Sequence, residues 1–171
     1  MPPLYDPDQV RPMWEELHNV GIRPLTKPEE VDAVLGKASG TALCVVNSVC
    51  GCAAGGARPG ATLALQSDVI PDELVTVFAG MDQEAVARAR EYMTGIAPSS
   101  PCIALFKDGA PVHVLERRHI ERMNVVDIAN SLAEAFREHC SRQGPSVPAE
   151  AYAANEHVDT CGSSISPYEG D

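Results

Sequence analysis

Two cysteines separated by a single glycine, Cys50-Gly51-Cys52, are the residues of this 171-residue chain best suited to chemistry. Thiols this close in sequence can exchange with a disulfide. One attacks as its thiolate and forms a mixed disulfide, and the other attacks that bond and releases the product. An apolar run, residues 42–46, leads into the pair, and a helix-competent stretch, residues 61–66, follows it. A cysteine placed where a strand turns into a helix meets unpaired backbone N–H groups and the positive end of the helix dipole, both of which favour the thiolate. Cys50, the more N-terminal of the two, is therefore expected to attack and Cys52 to resolve.

The single intervening residue sets the expected direction of the chemistry. Closing Cys50 onto Cys52 makes a ring of about 11 atoms, against about 14 for two intervening residues, and disulfide dihedrals prefer values near a right angle. The smaller ring is the more strained and the easier to reduce, so the pair is expected to exchange or resolve mixed disulfides rather than act as a strong reductant. Gly51, without a Cβ, leaves the tight backbone path unobstructed. Two other readings start from the same residues. The cysteines could be structural and buried, although the flanking glycines and alanines look like an exposed turn. They could hold a metal, alone or with Cys161, although structural zinc sites space paired cysteines by two to four residues and supply a second pair. A phosphate-binding loop fits less well still, because residues 51–60 match neither dinucleotide nor nucleotide-triphosphate fingerprints. No metal ligand set is expected.

Composition narrows the setting. The net charge of −11 argues against nucleic acid, whose phosphates require a basic face. The first residues have no basic region followed by an apolar stretch, and no apolar run approaches the length of a membrane span. Six cysteines without an export signal point to a reducing compartment, the cytoplasm, where a close pair is more often catalytic or metal-binding than a structural staple.

The elements that must position the pair can be read from periodicity. Asp6 caps a first helix, with Pro7 at its first turn and Val10, Met13, Trp14, Leu17 and Val20 at helical spacing. A short strand is expected within residues 22–25. Thr26 to Glu29 reads as a capping box opening a short helix. Residues 42–47 form a buried strand, and a helix runs from about Cys50 to Gln66 with a bend near Gly55, Gly56, Pro59 and Gly60. Residues 74–79 form the next strand, and Asp82 caps the next helix. Two apolar runs around Asp108-Gly109 form a hairpin, and Asn124 caps a last strong helix. The order (β)αβαβαββα behind an extra N-terminal helix predicts an α/β fold with a mixed central sheet flanked by helices. Beyond residue 143 the composition shifts: residues 144–171 carry five acids and no Lys or Arg. We divide the chain there into a domain, 1–143, and an acidic, mostly irregular tail, 144–171.

The order of elements, a redox pair opening the first long helix, and the stretch Ser99-Ser100-Pro101-Cys102 before a core strand together resemble the thioredoxin fold. In that three-layer fold a cis-proline faces the cysteine pair. Residues 46–55, with Ala57-Arg58-Pro59, 78–80, 87–92, 99–101 and 138–140, resemble the bacilliredoxin A/B family over most of residues 6–140. The resemblance implies a cytoplasmic thiol–disulfide oxidoreductase that removes bacillithiol from S-thiolated proteins, with some disulfide isomerase activity. It implies no resident cofactor, only bacillithiol or another low-molecular-weight thiol as co-substrate. The partners implied are S-thiolated cytoplasmic proteins and the thiol's own reductase system, with neither nucleic acid nor membrane. Cys50 would match the attacking cysteine, Cys52 the resolving one and Pro101 the cis-proline, with Gly51, Ser100 and Pro101 meeting substrate through exposed backbone. The chain departs from ordinary thioredoxin in lacking a Trp before the first cysteine. Cys44, Cys102 and Cys140 read as small core hydrophobes. Cys161, in the acidic tail, is expected to be accessible and is a candidate auxiliary thiol, because the chain between it and Ser141 is long enough to reach the site.

Overall fold

The computed structural model describes residues 1–160 and 162–170. A first helix, α1 (Pro7–His18), starts at Asp6, whose carboxylate accepts from the Asp8 amide at 3.0 Å. It leads into a two-residue strand, β1 (Arg23–Pro24), and a helix, α2 (Pro28–Leu35). The cap of α2 sits one residue later than the sequence suggests. Glu30, not Glu29, reaches back, accepting from the amides of Thr26 and Lys27 and from the Thr26 hydroxyl. Pro28 occupies the first helical position and shifts the frame by one.

The central strand, β2 (Thr41–Asn47), is buried along its whole length. It pairs in parallel with β4 (Glu73–Phe78), which in turn pairs with β1, and antiparallel with β5 (Cys102–Lys107). A hairpin returns the chain along β6 (Ala110–Leu115), giving a five-stranded mixed sheet in the order β1-β4-β2-β5-β6. The hairpin turns on Asp108 and Gly109, whose φ values of 53° and 83° suit the right-handed twist of the flanking strands. A separate pair, β3 (Val69–Ile70) with β7 (Arg142–Gln143), ties the end of the domain back to its middle.

Alternation along β2 divides the core. Ala42, Cys44 and Val46 face one layer, with α2 and α4 (Gln83–Tyr92), while Leu43 and Val45 face the other. That second layer is built from α3 (Arg58–Ala64) and α6 (Val125–His139), which meet closely. A Cβ at Gly60 would lie 2.5 Å from Ile128 Cγ2, so only glycine allows the approach. Asn124 caps α6 through the Asp127 amide at 2.8 Å. The result is a thioredoxin-like fold of three layers, a mixed sheet between two layers of helices, with α1 added at its edge.

The helix expected from about residue 50 to 66 is not uniform. Gly51 and Cys52 are α-helical, residues Ala53–Ala57 widen into a π-type turn, and α3 continues from Arg58. The expected bend therefore appears as an expanded turn at Gly55-Gly56, where backbone freedom is greatest. The tail contains regular structure that the sequence reading leaves out. It forms a short helix, α7 (Ala149–Ala154), whose alanine-rich sequence is intrinsically helical. A final short turn over Gly162–Ser164 precedes a bridge between Pro167 and Tyr5.

Candidate active site

The β2 strand delivers Asn47 and Ser48 to the point where the chain bends into the helix. The Asn47 side chain bridges the two, accepting from the Ser48 amide at 2.8 Å and donating to the Met13 carbonyl. Ser48 Oγ accepts from the Cys50 amide at 3.2 Å. The Cys50 carbonyl accepts from the amides of Ala53 and Ala54, so Cys50 stands at the helix start as expected. Both Cys50 and Cys52 are half-buried free thiols, and Gly51 between them is exposed. A Cβ built on Gly51 would meet no protein atom within 4 Å, so the space beside the turn is open to an incoming group.

The two sulfurs sit in different environments. Burial works against the Cys50 thiolate, but the Ser48 hydroxyl, the amides of Ala53 and Cys52 and the charge of Arg117 outweigh it, holding this thiol below its ordinary pKa. At Cys52, burial, the neighbouring Cys50 sulfur and the Glu121 carboxylate together push the pKa up, with Arg117 opposing. The surroundings thus favour the thiolate at Cys50 and disfavour it at Cys52.

Arg117 opens a four-residue helix, α5 (Arg117–Ile120), and is a site residue the sequence reading misses. Its Nη1 donates to the Ser100 carbonyl at 3.3 Å, its amide to Ser99 Oγ at 3.3 Å and its Nε to Glu121 Oε1 at 2.8 Å. Glu121 Oε1 also accepts from Cys52 Sγ at 3.9 Å. Arg117 thus joins the cysteine turn to the loop carrying Ser100 and Pro101, and the peptide bond between those two residues is cis. The only sequence signal for this network is the i, i+4 spacing of Arg117 and Glu121, which is common on solvated helix faces.

Arg58 is the second surprise. Its side chain is fully buried beneath the turn. It donates to the Ser48 carbonyl at 2.7 Å, to Asn47 Oδ1 at 3.1 Å and to the Val158 carbonyl at 3.0 Å, and pairs with the buried Glu16 at 3.5 Å. The Glu16 carboxylate in turn accepts from the Val158 amide and lies 3.0 Å from His157 Nδ1. The tail is therefore clamped onto α1 and onto the base of the site. Gly162 packs against Val49, the residue before Cys50. Cys161 itself lies outside the described residues.

The remaining cysteines stand apart. Cys44 and Cys102 lie buried in the layer of α2 and α4, where burial pushes their pKa values to about 12 and about 11. Cys140 ends α6 and packs against the opposite core. Among the described residues, no group of three or more His, Cys, Asp or Glu is placed to share a metal ion, and no helix is long and apolar enough to cross a membrane.

Comparison with known proteins shows the family. Residues 5–140 match the family described as disulphide isomerase. The chain is 51% identical over 149 residues to a bacilliredoxin of Salinibacter ruber, covering 86% of each protein. The chain belongs to the bacilliredoxin family. A bacilliredoxin of Staphylococcus aureus (strain NCTC 8325) is 49% identical over 140 residues, 82% of this chain and 96% of the relative. One of Staphylococcus saprophyticus is 50% identical over 137 residues, covering 80% and 94%. Membership in the bacilliredoxin family carries a thiol–disulfide redox role, that of a redox enzyme. The family match takes in the cysteine turn, the Ser100–Pro101 loop, Arg117 and Glu121, and ends before the clamped tail.

Proposed function

We infer that the protein is a thiol–disulfide oxidoreductase acting on mixed disulfides between protein cysteines and a low-molecular-weight thiol. Bacillithiol is the first choice of thiol, from the names of the relatives. The Cys50 thiolate attacks the thiol's sulfur in the mixed disulfide, forming a Cys50–thiol disulfide and releasing the protein cysteine as its thiolate. Cys52, once deprotonated, attacks Cys50 Sγ. This closes the Cys50–Cys52 disulfide and expels the small thiol in reduced form. Two electrons from further low-molecular-weight thiol and its reductase system restore the dithiol. The same attack on a wrongly paired protein disulfide is an isomerase step.

The observation that carries this reading is the unequal surroundings of the two sulfurs: Cys50 held below its ordinary pKa, Cys52 raised. Support for substrate contact at Gly51, Ser100 and Pro101 comes from the open space at Gly51 and from the Arg117 link between the cysteine turn and Ser100. The substrates are S-thiolated cytoplasmic proteins, and no resident cofactor takes part. Cys161 is an auxiliary thiol in this scheme. Its neighbour Gly162 rests on Val49, which holds the tail at the edge of the site.

The test is turnover. A protein carrying one bacillithiolated cysteine is incubated with catalytic amounts of the enzyme and a reducing system, and recovery of the free cysteine is followed by mass. Wild type is expected to release the thiol over many cycles, and Cys50→Ser none. Release by Cys50→Ser at the wild-type rate would refute the mechanism.

A further inference from the structure

The mechanism above, on which this inference rests, leaves Cys52 with a problem. It must attack as a thiolate, yet burial and its neighbours disfavour that form. A carboxylate stands within reach of it, that of Glu121, whose Oε1 takes the Cys52 thiol at 3.9 Å and is fixed by Arg117 Nε at 2.8 Å. Arg117 is itself fixed by the Ser100 carbonyl and the Ser99 hydroxyl, so the carboxylate is aimed rather than free. Among the described residues, the groups around Cys52 that carry charge or titrate are Cys50 on its own turn and Arg117 and Glu121 from the α5 segment.

We propose that Glu121 is a catalytic residue of the resolving step, accepting the Cys52 proton as Cys52 attacks Cys50, with Arg117 as the residue that positions it. The step balances within the site. Cys52 S–H passes its proton to the Glu121 carboxylate, and Cys52 Sγ bonds to Cys50 Sγ. The bond from Cys50 to the small thiol breaks with its electron pair on the departing sulfur, and that thiolate takes the proton back from Glu121. The cysteine pair is oxidised by two electrons and the small thiol leaves reduced. The initial attack by Cys50 needs no base, because its thiolate is already favoured by Ser48, two amides and Arg117.

A purely electrostatic role for Glu121 makes the opposite prediction. Its negative charge disfavours a Cys52 thiolate, so removing that charge would make Cys52 more acidic and speed resolution. The two roles therefore differ in sign. At neutral pH only a few per cent of an ordinary thiol is ionised, and burial leaves less of Cys52 in that form, so a working acceptor is worth on the order of 10- to 100-fold here.

The experiment uses full-length protein carrying Cys161→Ser, with and without Glu121→Gln, mixed in stopped flow with an aromatic disulfide that releases a coloured thiolate. The first release reports attack by Cys50 and the second reports resolution by Cys52. Glu121→Gln is expected to leave the first phase within about twofold and to slow the second on the order of 10- to 100-fold near pH 7, the gap closing in alkaline solution as Cys52 ionises unaided. An unchanged or faster second phase at pH 7 would overturn the proposal. If the Glu121-containing protein shows no second phase, or if Cys50→Ser retains the first, the two-cysteine mechanism itself fails. A thermal unfolding curve for Glu121→Gln matching that of its parent keeps the comparison one of chemistry.

Discussion

Glu16→Gln isolates the buried ion pair beneath the cysteine turn. Glu16 and Arg58 both have side chains with 0% exposure, 3.5 Å apart. The glutamine keeps the shape of the side chain and removes its charge. Burial already lowers the Arg58 pKa against the pull of Glu16. Without that partner a buried guanidinium faces neutral acceptors only, the carbonyls of Ser48 and Val158 and the Asn47 side chain. Breaking a buried pair by removing one partner costs about 3–5 kcal/mol, a large share of the roughly 5–15 kcal/mol that holds a domain folded. With a urea dependence of about 2 kcal/mol per molar, the unfolding midpoint should fall by roughly 1.5–2.5 M. The loss should also be felt locally. The Val158 amide donates to Glu16 at 2.8 Å and should exchange faster with solvent in the variant. A midpoint change below about 0.5 M, which is the size seen for solvent-exposed pairs, would refute the reasoning that this pair is desolvated and clamps the tail.

Other expectations follow from single residues. Alkylation of reduced Cys50 should reach half its maximal rate below the pH of about 8.5 typical of a free thiol, and fall away as pH drops through the depressed value. Ser48→Ala removes the hydroxyl that favours the thiolate; at about 1.5 kcal/mol for a hydrogen bond to a charged group, the midpoint should move up by about one pH unit. Gly60→Ala forces a Cβ to within 2.5 Å of Ile128 Cγ2, so overpacking should cost about 1–3 kcal/mol and lower Tm by roughly 3–10 °C in a melt. Cys161→Ser should leave wild-type turnover intact, because Cys52 supplies the resolving thiol, but should lengthen the lifetime of any adduct formed by Cys52→Ser. An equal lifetime by time-resolved mass would remove the auxiliary role of Cys161.

Local physics made most of the scaffold readable. The alternation of β2 separates Cys44 from Leu43 onto opposite layers, Asp108-Gly109 marks the hairpin, and Asn124 marks the start of α6. Cys50-Gly51-Cys52 announces itself because few other roles suit two thiols at a strand–helix junction. What the sequence hides is pairing across distance. Arg58 looks like an ordinary charge because Glu16 lies far upstream and Val158 far downstream, and only the folded chain brings them together. Arg117 and Glu121 look like a solvated pair on a short helix until the Ser99–Pro101 loop and Cys52 are seen beside them. The helix cap at Glu30 was displaced by a single proline. The Ala53–Ala57 turn was legible as a bend but not in kind, since two glycines permit several ways of interrupting a helix.

The central claim is that Cys50 attacks and Cys52 resolves, and trapping tests it most directly. Cys50→Ser and Cys52→Ser are each mixed with a bacillithiolated protein, quenched with acid and mapped by peptide mass. The account predicts an adduct on Cys50 in Cys52→Ser and none on Cys52 in Cys50→Ser. An adduct on Cys52 alone would reverse the roles, and no adduct in either variant would contradict the account.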